Sequence, residues 1–166
     1  MELNKKIYLV FVIASLIWCL LILLPPVLIK AGGSGKSISE IDYKFFGHIC
    51  HQFEARSLHI GEYKLTVCAR CSGIYFGFLF GLLILPLFKN LKIANVKHLL
   101  FFILLPILID IALDFTGVHG SNILTRTITG LMFGTPSAIL IYPSFEEGIN
   151  QLLNRKERIK YYVRKT

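Results

Sequence analysis

Four apolar runs constrain this 166-residue chain more than anything else in it: Ile7–Ile29, Ser72–Phe88, Leu99–Thr116 and Ile123–Phe145. A helix needs about 20 apolar residues to cross a bilayer core of about 30 Å. Each run comes close, and the shorter second and third lean on their flanks. With 54% hydrophobic and only 17% charged residues, the composition excludes a soluble domain of this length. Lys5 and Lys6 precede the first run, as they would in a signal peptide. That run is too long for a signal core, however, and Pro25-Pro26 stands where small residues would mark cleavage. It is read as a retained helix. The expected fold is all-α: one polytopic domain over residues 1–166, built as a four-helix transmembrane bundle.

Charge orients the bundle. Eleven of the 18 Lys and Arg residues fall before the first run, between the second and third, and after the fourth. The positive-inside rule makes these segments cytoplasmic, with both termini inside and the chain multi-pass in the cell membrane. The loop 30–71 and the turn Gly117–Ser121 then face outward. The net charge of +8 reads as topology plus a basic cytoplasmic tail, 146–166, that meets the anionic headgroups of the lipid bilayer rather than nucleic acid.

In the outer loop, Ala31–Gly35 is a flexible linker. Ile41, Phe45, Ile49 and Phe53 then recur every four residues, the pattern of a short amphipathic helix on the membrane surface. Leu58–Ile60 and Tyr63–Leu65 flank Gly61-Glu62 as a small hairpin. In the second run Gly73, Gly77 and Gly81 form a stripe that lets another helix approach closely; Gly130 and Gly134 repeat it in the fourth. These stripes predict helix packing and leave homo-oligomer formation open. Pro86, Pro106 and Pro136 are expected to kink or end helices.

Cys19 sits in an apolar run and reads as a small hydrophobe. Cys50, Cys68 and Cys71 belong to the outward side. Cys-x-x-Cys is a recurrent zinc half-site, and Cys50 with His51 or His48 can supply the other half, as Cys3His or Cys2His2. Neighbours in a helix point about 100° apart, so Cys50 and His51 can both ligate only where the helix breaks. Two rival readings remain open. One is thiol–disulfide exchange, with Cys68 and Cys71 at a helix N-terminus and Cys50 as exchange partner. The other is a plain disulfide.

The third and fourth runs carry polar residues that a bilayer makes costly. Asp110 and Asp114 lie one turn apart, as do Asn122 and Arg126. The short intervening turn brings Asp114 and Arg126 to similar depth, so they are expected to pair. Cys68, Arg70 and Cys71 begin the second helix at that same level. The expected site is one pocket holding a zinc ion. Asp114 or Asp110 would act there as a base, with Asn122 beside them. Arg126 or Arg70 would bind an anionic, lipid-like group.

These residues carry a resemblance. Cys50-His51-Gln52, Arg56-Ser57, Gly61, the run Val67–Tyr75, Gly77, Leu113-Asp114, Asn122, Arg126, Thr129-Gly130 and Gly134 resemble the family called domain of unknown function 2085. The resemblance spans roughly Phe46 to Gly134. It implies a small prokaryotic polytopic membrane protein and supports the topology and the site rather than a reaction. Ser72 stands where threonine is expected. The helix-opening Cys-x-x-Cys is also similar to that of quinone-coupled disulfide-forming enzymes, whose second exposed cysteine pair this chain lacks. The alternatives to a metal-dependent role are therefore a membrane thiol–disulfide oxidoreductase and a non-enzymatic lipid or ion transporter with a structural Cys/His zinc knuckle.

Overall fold

The computed structural model describes residues 5–32, 35–88, 96–116 and 122–163. The expected turn Gly117–Ser121 and the basic residues Lys89, Lys92, Arg164 and Lys165 lie outside the described residues. Five helices and one hairpin follow in order: α1 Lys5–Ala31, α2 Gly35–Gly47, β1 Ser57–Ile60, β2 Tyr63–Cys68, α3 Ala69–Ile84, α4 Val96–Phe115 and α5 Ile123–Val163. Among the described residues, three helical stretches are long and apolar enough to cross a bilayer: Lys5–Lys30, Ala69–Leu87 and Ile123–Leu152.

The elements depart from the sequence expectations mostly at their ends. The second run starts three residues early, at Ala69, because Cys68 takes an extended conformation and acts as the helix N-cap. Pro86 falls in a 3-10 turn, Leu85–Phe88, that closes this helix. Pro25, Pro26, Pro106, Pro136 and Pro143 all lie inside helices rather than ending them. The largest difference is α5, one helix of 41 residues. The residues from 146 onward, expected as a separate basic tail, continue the helix to Val163.

The hairpin is the predicted one, slightly longer. His59 pairs with Lys64 and Ile60 with Tyr63, with a bulge between Ser57 and His59. Gly61 opens its two-residue turn at φ +65°, a conformation that a Cβ would strain. Leu65, Thr66 and Val67 are all buried, so β2 is covered on both faces. The Thr66 hydroxyl donates to the Ile22 carbonyl at 3.4 Å, and the Tyr43 hydroxyl donates to the Lys64 carbonyl. These bonds tie the hairpin to α1 and α2.

The glycine stripes meet each other. A Cβ on Gly77 would stand 2.8 Å from the Leu131 carbonyl oxygen, and one on Gly73 would stand 3.1 Å from the Gly130 Cα. The α3 and α5 backbones therefore pack in direct contact, as small residues permit where lipid gives no hydrophobic drive. Both stripes are thus used within one chain, so their pattern no longer argues for self-association. Elsewhere the surface is apolar: Leu9, Ile17, Phe80, Phe102, Leu108 and Leu124 are all more than half exposed. Such continuous exterior apolarity suits hydrocarbon and not water.

Two buried clusters mark the two ends of the α1–α3 contact. Ile22, Phe46, Cys50, Leu65 and Val67 form one, with Trp18 and Tyr75 packed against it. Leu82, Leu85, Ala138 and Tyr142 form the other. The first underlies the site.

Candidate metal centre and adjoining ion pairs

Three segments bring one cysteine each to a common point. Cys50 follows the end of α2, where the chain turns after Gly47; its N–H donates to the Phe46 carbonyl at 2.9 Å. Gln52, in the left-handed region at φ 49°, redirects the backbone toward the hairpin. Cys68 caps α3, and Cys71 lies in its first turn. The three Sγ atoms all lie within 4.8 Å of one another. All four cysteines of the chain are free thiols. The Cys68 N–H donates to Cys50 Sγ at 3.2 Å. Thiol hydrogen bonds from Cys68 and Cys71, together with that N–H, hold the Cys50 thiol below its ordinary range, against the opposing effect of burial.

The donor chemistry fits a metal. Zinc–sulfur bonds of about 2.3 Å in a tetrahedron place sulfurs about 3.8 Å apart, so these thiols need to close by about 1 Å or less. Among the described residues no histidine nitrogen or carboxylate joins the group. His48 is exposed, with Nδ1 2.9 Å from the Lys44 carbonyl oxygen. His51 is exposed and stacks on Phe53, ring centroids 5.9 Å apart. The helix breaks before Cys50, as joint ligation required, yet the break turns Cys50 inward and leaves both histidines outside. The Cys/His knuckle expected from the sequence is, in this structure, a group of three cysteines.

The charged residues form a second centre. Arg126 donates to Asp114 Oδ1 at 2.6 Å, the pair expected from the sequence. Arg70 Nε donates to Asp110 Oδ2 at 3.1 Å, and its terminal nitrogen reaches the same oxygen. The Thr129 hydroxyl adds a contact to Asp110 at 3.4 Å. Asp110 and Arg126 are only 8% and 4% exposed, so each ion is buried with a partner. Asn122 contributes its carbonyl, which accepts from Arg126 N–H at 3.1 Å and from the Thr125 hydroxyl at 2.8 Å.

Arg56 joins this centre from the segment before β1. Its Nη1 lies 3.8 Å from Asp114 Oδ2, and its guanidinium lies 5.5 Å from the Phe53 ring centroid. It is the single arginine between positions 30 and 67, which is the signal that marks it. The expected single pocket is therefore two centres on the opening turn of α3. Cys71 belongs to the thiol group and its neighbour Arg70 to the ion pairs. The segment between α2 and β1 touches both, through Cys50 and Arg56.

On the near side of the loop, Glu54 accepts from His59 at 2.9 Å and pairs with Lys64 at 2.9 Å. Hydrogen bonds from those two groups hold its carboxyl below the usual range. Burial, with the charges of Glu54 and Asp42, raises the Tyr43 phenol.

The chain has archaeal relatives. An uncharacterized protein of Methanocaldococcus jannaschii is 39% identical over 151 residues, covering 87% of this chain and 96% of that one. Another, of Methanothermobacter thermautotrophicus, is 32% identical over 99 residues, covering 57% of this chain and 86% of that one. No solved structure matches the chain. Residues 50–157, which include all three clustered cysteines and both ion pairs, match the family described as Predicted membrane protein (DUF2085), and the chain belongs to that family.

Proposed function

We propose that the protein is a four-span membrane protein whose outer mouth holds one zinc ion on Cys50, Cys68 and Cys71, beside an arginine-rich centre that receives an anionic, lipid-like molecule. The carrying observation is the convergence of three sulfurs from separate segments within 4.8 Å. Thiolate ligands suit zinc, and three protein ligands leave a fourth position for an outside donor. A zinc ion there would supply Lewis-acid chemistry at that position. The protein's own residues do the rest. Arg56, Arg70 and Arg126 outnumber Asp110 and Asp114, so the second centre keeps a positive excess that favours an anion. Arg56, half-exposed and held at 3.8 Å, is the cation an incoming headgroup meets first. Arg126 and Arg70 fix the positions of the two carboxylates that would accept a proton.

Metal analysis of the purified protein tests the metal reading. One zinc per chain is expected, with three thiols unreactive until a chelator is added. The rival reading is thiol–disulfide exchange, favoured by one observation: three free thiols lie within 4.8 Å of one another. A Cys68–Cys71 disulfide in metal-free, folded protein would establish that reading and end the zinc one.

The topology has its own test. It takes α4, a 20-residue helix, as the fourth span, with both termini cytoplasmic. In intact cells a membrane-impermeant thiol reagent is expected to label Glu62→Cys in the hairpin turn and to spare Arg155→Cys, beyond the apolar stretch of α5. The reverse pattern would invert the protein in the membrane.

A further inference from the structure

An open cavity of about 390 Å³ lies between α1 and α3, with Phe11, Ala14, Ser15 and Trp18 of α1 facing Tyr75 and Phe78 of α3. Its walls are almost entirely carbon. The α1 residues come from the middle of a 27-residue helix, so in a bilayer the cavity opens at hydrocarbon depth. Water would find no set of polar partners there. A helix, about 10–12 Å across, is too wide for it. The volume falls in the range of small-molecule sites, about 300–1,000 Å³. What remains, in size and polarity, is a single hydrocarbon chain.

The cavity is not remote from the thiols. Trp18 and Tyr75 line it and also pack on the cluster that contains Cys50. Tyr75 follows Cys71 by one helical turn, about 6 Å along α3. Trp18 also meets the buried Phe46 ring, with centroids 5.3 Å apart, on the helix that delivers Cys50. At its other end Phe11 and Phe78 pack on the second buried cluster, so a chain seated between α1 and α3 reaches from one cluster to the other, with the thiols beside one of its ends.

We propose that this cavity binds one hydrocarbon chain of an anionic amphiphile, so that the protein takes its ligand by the tail from the bilayer and by the head at the outer mouth. The chain site stands on the cavity; assigning it to the same ligand rests on the function proposed above.

Trp18 is the single tryptophan of the chain and reports on its own pocket. The protein is placed in nanodiscs of dioleoyl-phosphatidylglycerol containing rising fractions of dibromostearoyl-phosphatidylglycerol, whose bromines quench an indole on contact. Expected is a saturating loss of most Trp18 emission at low brominated fraction. Ala14→Phe and Ser15→Leu fill the cavity from adjacent positions, and each is expected to abolish the saturating phase while remaining a single species on gel filtration. Parent and filled variants quenched alike, in proportion to brominated lipid, would mean annular contact only and would overturn the proposal. So would unchanged quenching with a shift from dimer to monomer in the filled variants, which would assign the cavity to a second copy. Zinc is measured on the same samples. Full zinc without saturable quenching removes the chain site and leaves the metal centre standing; saturable quenching without zinc supports the chain site and removes the metal.

Discussion

Replacing any one of Cys50, Cys68 or Cys71 by serine is expected to weaken zinc binding by more than about 100-fold, the upper range for changes that merely disturb the surroundings of a ligand. The three sulfurs come from a loop, a helix cap and a helix, and among the described residues no further His, Cys, Asp or Glu joins them to replace a lost thiolate. Acid should release the metal as the thiolates take up protons. Cys19→Ser is the control. Its thiol is buried in α1 and donates to the Tyr75 carbonyl at 3.6 Å, away from the group, so zinc content should be unchanged. His48→Ala and His51→Ala should also leave zinc in place, because both rings are exposed and otherwise engaged. Each cysteine variant should speed amide exchange from Cys50 to Leu65, since Cys50 anchors that loop. Zinc content equal to the parent's in all three variants would sink the metal centre.

The second large effect is expected at Asp114 and Arg126. Removing one member of a buried ion pair costs about 3–5 kcal/mol, because the remaining charge is still desolvated. Asp114→Ala takes the carboxylate from a guanidinium that is only 4% exposed. Arg126→Ala leaves Asp114 with Arg56, which is half-exposed and 3.8 Å away. Each single variant should therefore lose stability, and the double variant should be less harmful than the worse single one. Thermal unfolding in detergent reads all three. Single variants as stable as the parent would show that the pair contributes nothing.

That pair was legible from sequence because it depends on two local regularities only, helical spacing and a short connection. The hairpin was legible for a similar reason, since Gly61 sits between two short alternating segments. The glycine stripes revealed a contact face but not its owner. Spacing of four marks a smooth ridge, and only the folded chain shows that the ridge of α3 lies against that of α5. The histidines misled because periodicity extends an amphipathic helix through Ile49 and Phe53, whereas the chain leaves the helix at Gly47 and turns at Gln52. A single left-handed residue decides which side chains point inward there, and no pattern of polarity announces it. The extent of α5 was hidden by composition: charge after Phe145 reads as a tail, yet charged residues with good helix propensity simply continue a helix once it has left hydrocarbon.

The length of α5 makes it a mast rather than a rung. Its 41 residues span about 60 Å, twice the thickness of a bilayer core. The backbone of α3 grips it from Thr127 to Thr135, and packing continues to Ala138 and Tyr142. A helix of that length cannot lie within one hydrocarbon layer, so the turns beyond its apolar stretch, which ends at Leu152, stand in water as a direct extension of the bundle.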